Sequence, residues 1–186
     1  MRHLYHIFGK NVAMSKTRKK HKMEDPAKVH TVGSKDTMNN EEGDAYGVIS
    51  WLGVPKTAVA RIRTRFDLLD FVKAGIPKSS IVTLADRAGL SKKFLAEDVF
   101  QISVKTLERK SAKAKMDFRI SSHAIEIARV LEHALEVFGN IERVQKWINR
   151  ENHALNNKKP VTLFNTLTGL NMVNDVLGRI EEGVYT

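Results

Sequence analysis

Apolar residues recur at helical spacing from about residue 46 onward, whereas the front of the chain lacks such a pattern. The clearest stripe lies in residues 120–138, where apolar positions fall three or four residues apart, as on one face of an α-helix. They are Ile120, Ala124, Ile127, Leu131, Leu135 and Phe138. The same spacing predicts helices over 66–74, 140–150 and 167–181. The pattern therefore predicts an all-α fold.

Residues that commonly begin or stop helices mark the ends of these segments. In the helix of residues 66–74, we expect Phe66, Leu69 and Val72 to share the apolar face. Glycines are predicted to end helices at Gly75, Gly89, Gly139 and Gly183. Serines are predicted as N-caps: Ser79 or Ser80 for a helix to about Ala88, Ser91 for the next, and Ser121 or Ser122 for residues 120–138.

Short helices joined by tight turns, with basic side chains among them, indicate a helix-turn-helix in the middle of the chain. Two frames are open. In the first, Ala85 is the small packing residue, Gly89 forms the turn, and residues 91–99 are the recognition helix. Turn geometry favours this frame, but Glu97 and Asp98 would repel phosphates.

In the second frame, residues 91–99 support the recognition helix, residues 100–102 form the turn, and residues 103–110 read DNA. Phe100 then falls where a glycine commonly provides a positive φ, so this turn must be built differently or be strained. Side-chain chemistry favours this frame, since Leu107 faces inward and basic residues face outward. Its predicted DNA-binding residues are Ser103 as the N-cap, Lys105, Thr106, Arg109 and Lys110.

The 186-residue chain is long enough for one sizeable core or two small ones, and its formal net charge is +10. The excess charge lies at the front, where residues 1–40 hold nine Lys or Arg and three acidic residues. Residues 119–186 hold eight of each sign. A basic front suits an anionic partner such as nucleic acid, and it equally suits a solvated tail without a partner. We expect residues 1–44 to be a basic, poorly ordered extension.

The residue inventory argues against catalysis and against a metal site. There is no cysteine, which excludes disulfides, a cysteine nucleophile and Cys-ligated metals. His123 and His133 lie ten residues apart in one predicted helix, so we expect no metal pair. No Ser/His/Asp set, glycine-rich phosphate loop, signal peptide or run of about 20 apolar residues is recognisable. We therefore expect a cytoplasmic binding protein, not an enzyme, that uses no cofactor and contacts no membrane.

The C-terminal sequence resembles the Xre/MbcA/ParS family of toxin–antitoxin antitoxins. The resemblance rests on the helix end A-x-x-V-F-G-x-x-E over 134–142, Trp147 of the next helix, and K-P-x-x-L-x-x-T over 159–166. The most specific part is the closing run L-G-R-I-E-x-G-V-Y over 177–185. Upstream, W-L-G-V over 51–54, a Gly-Ile-Pro turn over 75–77 and S-x-x-T-L-x-R-K over 103–110 fit the family's helix-turn-helix. The resemblance supports the second frame.

The sequence departs from the family pattern in two places. Phe100 replaces the small turn residue, which is usually glycine. This replacement bears on the geometry with which residues 103–110 would meet DNA. Asn156 and Asn157 replace the usual pair of glycines before the proline-containing turn, which concerns the shape of a loop.

The resemblance implies a protein that dimerises, binds a toxin encoded beside it and represses its own operon. Partner toxins of the family are often RES-type enzymes that degrade NAD, or are ADP-ribosyltransferase-like. The closing segment is the part that would plug the toxin's cleft. The implied toxin-binding residues are Arg179, Ile180, Glu181, Gly183, Val184, Tyr185 and Thr186.

The predicted organisation has three parts: the basic extension at 1–44, an Xre-like helix-turn-helix DNA-binding domain at 45–118, and a helical toxin-binding domain at 119–186. An alternative function is a stand-alone helix-turn-helix transcriptional regulator, whose C-terminal bundle only dimerises or senses a ligand. A third is a structural protein associated with nucleic acid through its basic front. A stand-alone regulator has no evident use for the closing run of 177–186, and a structural protein would not need a neutral, well-patterned helical bundle.

Overall fold

The regular elements of this chain are helices throughout the residues that its computed structural model describes, which are 47–55, 62 and 64–184. The prediction of an all-α fold is confirmed. The predicted extension at 1–44 lies outside the described residues. The helices are α1 (47–51), α2 (Arg65–Lys73), α3 (Lys78–Ala88), α4 (Lys92–Phe94, continued as a π-helix over Leu95–Val99), α5 (Val104–Arg109), α6 (Phe118–Phe138), α7 (Ile141–Ile148) and α8 (Leu167–Glu181).

Helix α6 is the centre of the fold, and α2, α3, α7 and α8 pack against it. Its predicted stripe is buried from Ile120 to Leu131, and Leu135 and Phe138 are half-buried. Ile125, Ala128 and Val130 are buried as well, so α6 is covered on more than the predicted face. The apolar side chains of both predicted domains form one continuous core. A boundary between residues 118 and 119 stays a prediction.

Helix ends agree with the sequence at the glycines and at Ser91, but not at the serines predicted to cap α3 and α6. Gly75, Gly89 and Gly139 have φ values of 79°, 66° and 68° just beyond their helices. The Ser91 side chain accepts a hydrogen bond from the Phe94 N–H at 3.0 Å. The prediction of serine N-caps for α3 and α6 is wrong, because both helices begin earlier, with Pro77 and Asp117 at the N-cap positions. Ser80 and Ser121 are buried instead.

The buried face of α2 also differs from the prediction. Phe66 is 78% exposed and Leu69 is 43% exposed, while Leu68 and Val72 are buried. The segment holds two overlapping apolar stripes, and the one with Leu68 and Val72, four residues apart, is the buried one where α2 packs on α6. Periodicity alone did not distinguish between the two stripes.

Two 3-10 turns, His153–Leu155 and Pro160–Leu163, connect α7 to α8. Asn156 and Asn157 between them have φ values of 56° and 60°, which explains why a glycine pair is the usual choice there. Gly169 on α8 lies against the backbone carbonyl of Leu163, where a Cβ would collide. This glycine allows α8 to pack closely on the second turn. None of the described helices is long and apolar enough to cross a membrane.

Candidate functional site

The first candidate site is α5, which the second frame assigns to DNA reading. The Ser103 hydroxyl accepts a hydrogen bond from the Thr106 N–H at 3.1 Å, which confirms Ser103 as the N-cap. Leu107 faces the core and is 2% exposed, as predicted. Lys105 and Arg109 are exposed, and Thr106 is half-buried. Helix α5 therefore exposes two cationic side chains to solvent and buries one apolar side chain, Leu107.

The turn before α5 is built without a positive φ at Phe100. Phe100 has a φ of −90° and is buried, and the positive φ of 56° falls on Gln101. The Phe100 ring packs edge-on against His123, with ring centroids 5.7 Å apart. Arg119 donates a hydrogen bond to the Phe100 carbonyl at 3.2 Å. Residues of α6 thus hold both the ring and the carbonyl of this turn residue.

The competing frame would place α4 on DNA. Lys93, one of its two lysines, lies 3.9 Å from the carboxylate of Glu97 in an exposed ion pair. Asp98 is exposed beside this pair. The small residues of both frames, Ala85 and Ala96, are fully buried. The electrostatics of α4 thus disfavour phosphate contact, and the choice of frame stays a prediction.

The second candidate site is the C-terminal end of α8. Arg179 and Glu181 are exposed, and Ile180 is half-buried. Gly183, with a φ of 72°, turns the chain so that the Val184 N–H donates to the Arg179 carbonyl at 2.8 Å. Val184 is 49% exposed. The structure brings these five predicted residues together, whereas Tyr185 and Thr186 lie outside the described residues.

An open, mainly apolar groove of about 250 Å³ lies beside this end of α8. Phe138 and Trp147 are half-buried, and their ring centroids are 5.3 Å apart. Phe164 is fully buried. The groove is lined by Phe138, Trp147, Asn152, Ala154, Val176, Arg179, Ile180 and Val184. Sequence periodicity gave no signal for it, because it arises only where α6, α7, the first 3-10 turn and the end of α8 meet.

His133 of α6 holds the last turn of α8 and was also missed. Its Nδ1 lies 2.7 Å from Oδ1 of Asn174, and its Nε2 lies 3.3 Å from a carboxylate oxygen of Glu181. His123 instead contacts the Phe164 carbonyl through Nε2 at 2.7 Å. The two histidines therefore serve different contacts. Within the described residues, no group of three metal-binding side chains is assembled.

The described part of the chain is helical. The C-terminal end of α8 carries exposed polar residues beside an apolar groove. Residues 133–183 match the sequence model of the antitoxin Xre/MbcA/ParS C-terminal toxin-binding domain. The chain is also 27% identical over 110 residues to the antitoxin Xre of Photorhabdus laumondii subsp. laumondii. That alignment covers 56% of this chain and 74% of the relative.

These matches support an Xre/MbcA/ParS-like antitoxin, so the resemblance predicted from the sequence is confirmed. They support the function of an antitoxin in a toxin–antitoxin system, and a toxin-binding domain implies a toxin partner. The antitoxin family that these matches indicate is typical of non-enzymatic regulators. The matched residues include both sides of the groove and the end of α8 up to Gly183.

Proposed function

We propose that this protein neutralises a cognate RES-type, NAD-degrading toxin by occupying the toxin's active-site cleft with residues 179–186. An ADP-ribosyltransferase-like toxin is the other partner class that the family resemblance implies. The observation that carries the proposal is the coincidence of the matched toxin-binding region with the exposed end of α8 and its groove. We further propose that the protein acts as a cytoplasmic homodimer and represses its own operon.

The chemistry of the segment suits a cleft that binds a dinucleotide. Glu181 and Glu182 are exposed carboxylates at the end of α8, and Tyr185 adds an aromatic ring. A cleft for NAD must accept both negative charge and flat aromatic rings, so these side chains imitate two features of the substrate. Occupation of the cleft excludes substrate without any chemical step on the antitoxin.

The base of the segment is well suited to present these groups. Val173, Val176 and Leu177 are buried in the preceding turns of α8, and His133 contacts Glu181. A preorganised segment loses little conformational freedom on binding, which raises affinity. The groove beside it offers Phe138 and Trp147 for an apolar side chain of the toxin.

The toxin-binding proposal is tested by co-expression with the adjacent open reading frame. The readouts are growth, cellular NAD and co-purification of the two proteins. We expect wild type to restore growth and NAD, and a double variant, Tyr185→Ala with Glu181→Ala, to lose at least tenfold in affinity for the neighbour. Leu167→Ala is the matched control, because Leu167 is 59% exposed and lies 12 residues from Arg179, roughly 18 Å along the helix.

Each outcome separates the possible functions. If the neighbour is harmless alone and does not co-purify, the antitoxin function is wrong and a stand-alone transcriptional regulator explains the chain better. If it is toxic and bound but NAD is unchanged by it, the RES assignment is wrong. If the double variant binds and neutralises like wild type, the cleft-blocking role of residues 179–186 is wrong.

For DNA binding, we propose that α5 reads the operator, with Lys105 and Arg109 as the exposed cations and Ser103, Thr106 and Lys110 beside them. Lys105→Ala or Arg109→Ala should weaken binding to a duplex from upstream of this gene, because each removes a contact to phosphate or base. Toxin binding should be unchanged. Equal loss of both functions, with helicity intact by circular dichroism, would contradict separate sites for DNA and toxin.

A further inference from the structure

We infer that Lys78 and Arg119 are positioning residues for DNA reading, which hold the two ends of α5 through backbone carbonyls and do not themselves contact phosphate. This inference rests on the proposed role of α5. It assigns Lys78, in the predicted DNA-binding domain, and Arg119, the first residue of the predicted toxin-binding domain, to a task that charge counting would miss. It also locates the determinants of specificity partly outside the reading helix.

Lys78 lies on α3 and reaches the C-terminal end of α5. Its Nζ donates to the carbonyl of Glu108 at 3.2 Å and to that of Lys110 at 2.9 Å. The last carbonyls of a helix lack partners within the helix and carry partial negative charge, so a cation there both satisfies and stabilises them. Lys78 is half-buried in this position. Its ammonium group is therefore directed to the C-terminal end of α5 by two acceptors.

Arg119 makes the corresponding contact at the other end. It lies in the first turn of α6, and its guanidinium donates to the carbonyl of Phe100, three residues before Ser103. The Phe100 ring is held by His123 one helical turn further along α6. The entry into α5 is thus fixed from α6, and its exit is fixed from α3.

The location of the two cations in their own helices supports this assignment. Lys78 is the first residue of α3, which has no acidic residue in its first turn, and Arg119 is the second residue of α6, which Asp117 caps. A positive charge is unfavourable at a helix N-terminus by some tenths of a kcal/mol. Both side chains point instead to carbonyls that flank α5, where positive charge is favourable.

Helix α5 needs such support because of its size. It has six residues, of which Leu107 is buried. Isolated helices shorter than about 12 residues are marginal in water, so tertiary contacts must hold α5 in place. Base contacts carry the sequence information and phosphate contacts do not, so a displaced reading helix loses discrimination between sequences first. Loss of the two carbonyl contacts should therefore reduce specificity more than general affinity.

The test compares binding of the full chain to two duplexes, one from the DNA upstream of this gene and one of the same composition in scrambled order. Affinity is measured over a series of salt concentrations, since the slope of log K against log salt counts phosphate contacts. The variants are Lys78→Met, Lys78→Arg and Arg119→Leu, with Lys105→Met as a phosphate-contact reference and Lys146→Met as a matched loss of one exposed charge on α7. Thermal unfolding checks that each variant folds.

We expect Lys78→Met and Arg119→Leu to lose about tenfold in affinity for the upstream duplex, with unchanged affinity for the scrambled one and an unchanged salt slope. Lys78→Arg should recover most of the loss, because a guanidinium can also donate to both carbonyls. Lys105→Met should weaken both duplexes and reduce the slope by about one. Because Arg119 is exposed, Arg119→Leu keeps the test decisive if Lys78→Met unfolds.

The inference is overturned if Lys78→Met and Arg119→Leu behave like Lys105→Met, since both cations would then be phosphate contacts. It is also overturned if both variants bind the two duplexes as wild type and Lys146→Met do. A wild-type chain that binds both duplexes equally would instead contradict the DNA-reading function of α5, and the inference would fall with it. The Lys105→Met reference distinguishes these failures.

Discussion

Helices α5 and α8 carry the two proposed functions, and they are held in the fold by different means. Helix α5 has six residues and one buried side chain, Leu107, so its position depends on its N-cap and on contacts to backbone carbonyls. Helix α8 has 15 residues and buries Gly169, Leu170, Val173, Val176 and Leu177. Burial of apolar area is non-directional and shared among many contacts, whereas each polar contact depends on one geometry. DNA reading should therefore be more sensitive to single polar substitutions than toxin binding.

The largest expected effects come from truncating one buried leucine in each helix. Leu177→Ala should lower the free energy of unfolding of the whole chain by about 3 kcal/mol, because it leaves a cavity in a closed core. Helix α8 should stay docked, since its other buried residues remain. Leu107→Ala removes the buried anchor of α5, so residues 104–109 should open locally while the remaining helices stay folded. Urea unfolding and amide hydrogen exchange measure the two effects.

The control for this pair is Leu167→Ala, at a position that is 59% exposed, where the loss should be below about 0.5 kcal/mol. Exchange at 104–109 that rises only with global unfolding in Leu107→Ala would show that α5 is not weakly held. The contrast between the two helices would then be wrong.

A smaller effect tests whether apolar burial alone stabilises the helices packed around α6. Trp51 is 2% exposed, and its indole N–H donates to a carboxylate oxygen of Glu132 at 2.6 Å, joining α1 to α6. A double-mutant cycle with Trp51→Phe and Glu132→Gln should give a coupling energy of about 1–2 kcal/mol, as for a hydrogen bond to a charged acceptor. The measurement is urea unfolding of the four proteins.

Additive effects of the two substitutions would show that this bond adds nothing to stability, and that the body around α6 depends on apolar burial alone. A coupling energy of the expected size would instead show one directional contact with a share in that body. In both cases, Trp51→Phe and Glu132→Gln should reduce DNA reading by α5 less than Lys78→Met does.

Periodicity and helix-end residues predicted most of the helices and their glycine ends, because these features are local. The burial of Leu107 and the N-cap role of Ser103 were predicted for the same reason. The exposed side of α2 was not, since two stripes overlap there and only packing against α6 selects between them. The groove beside Trp147 was likewise not predictable from the sequence, because segments far apart in sequence form it.

Residue chemistry predicted which side chains are candidates for binding DNA or a toxin. It did not predict the long-range hydrogen bonds that position the helices carrying them. Lys78 and Arg119 count as two basic residues in the sequence, and only the fold shows that carbonyls 19 to 32 residues away accept their hydrogen bonds. His133 similarly reaches Asn174 and Glu181 across 41 and 48 residues. Such contacts depend on the relative placement of helices, which a single sequence does not specify locally.

The turn before α5 provides the smallest expected change in the free energy of unfolding. It also allows the backbone strain at Gln101 to be compared with that at Asn156. Gln101 has a φ of 56°, a left-handed conformation that costs a residue other than glycine or asparagine about 1 kcal/mol, while Asn156 adopts the same φ between α7 and α8. Gln101→Gly should therefore raise the free energy of unfolding by about 1 kcal/mol, and Asn156→Gly by less, because asparagine tolerates this region. Thermal and urea unfolding measure both. If Gln101→Gly is neutral or destabilising while Asn156→Gly stabilises, glutamine is not strained at this turn, and the contacts of Phe100 with Arg119 and His123 suffice to hold the entry into α5.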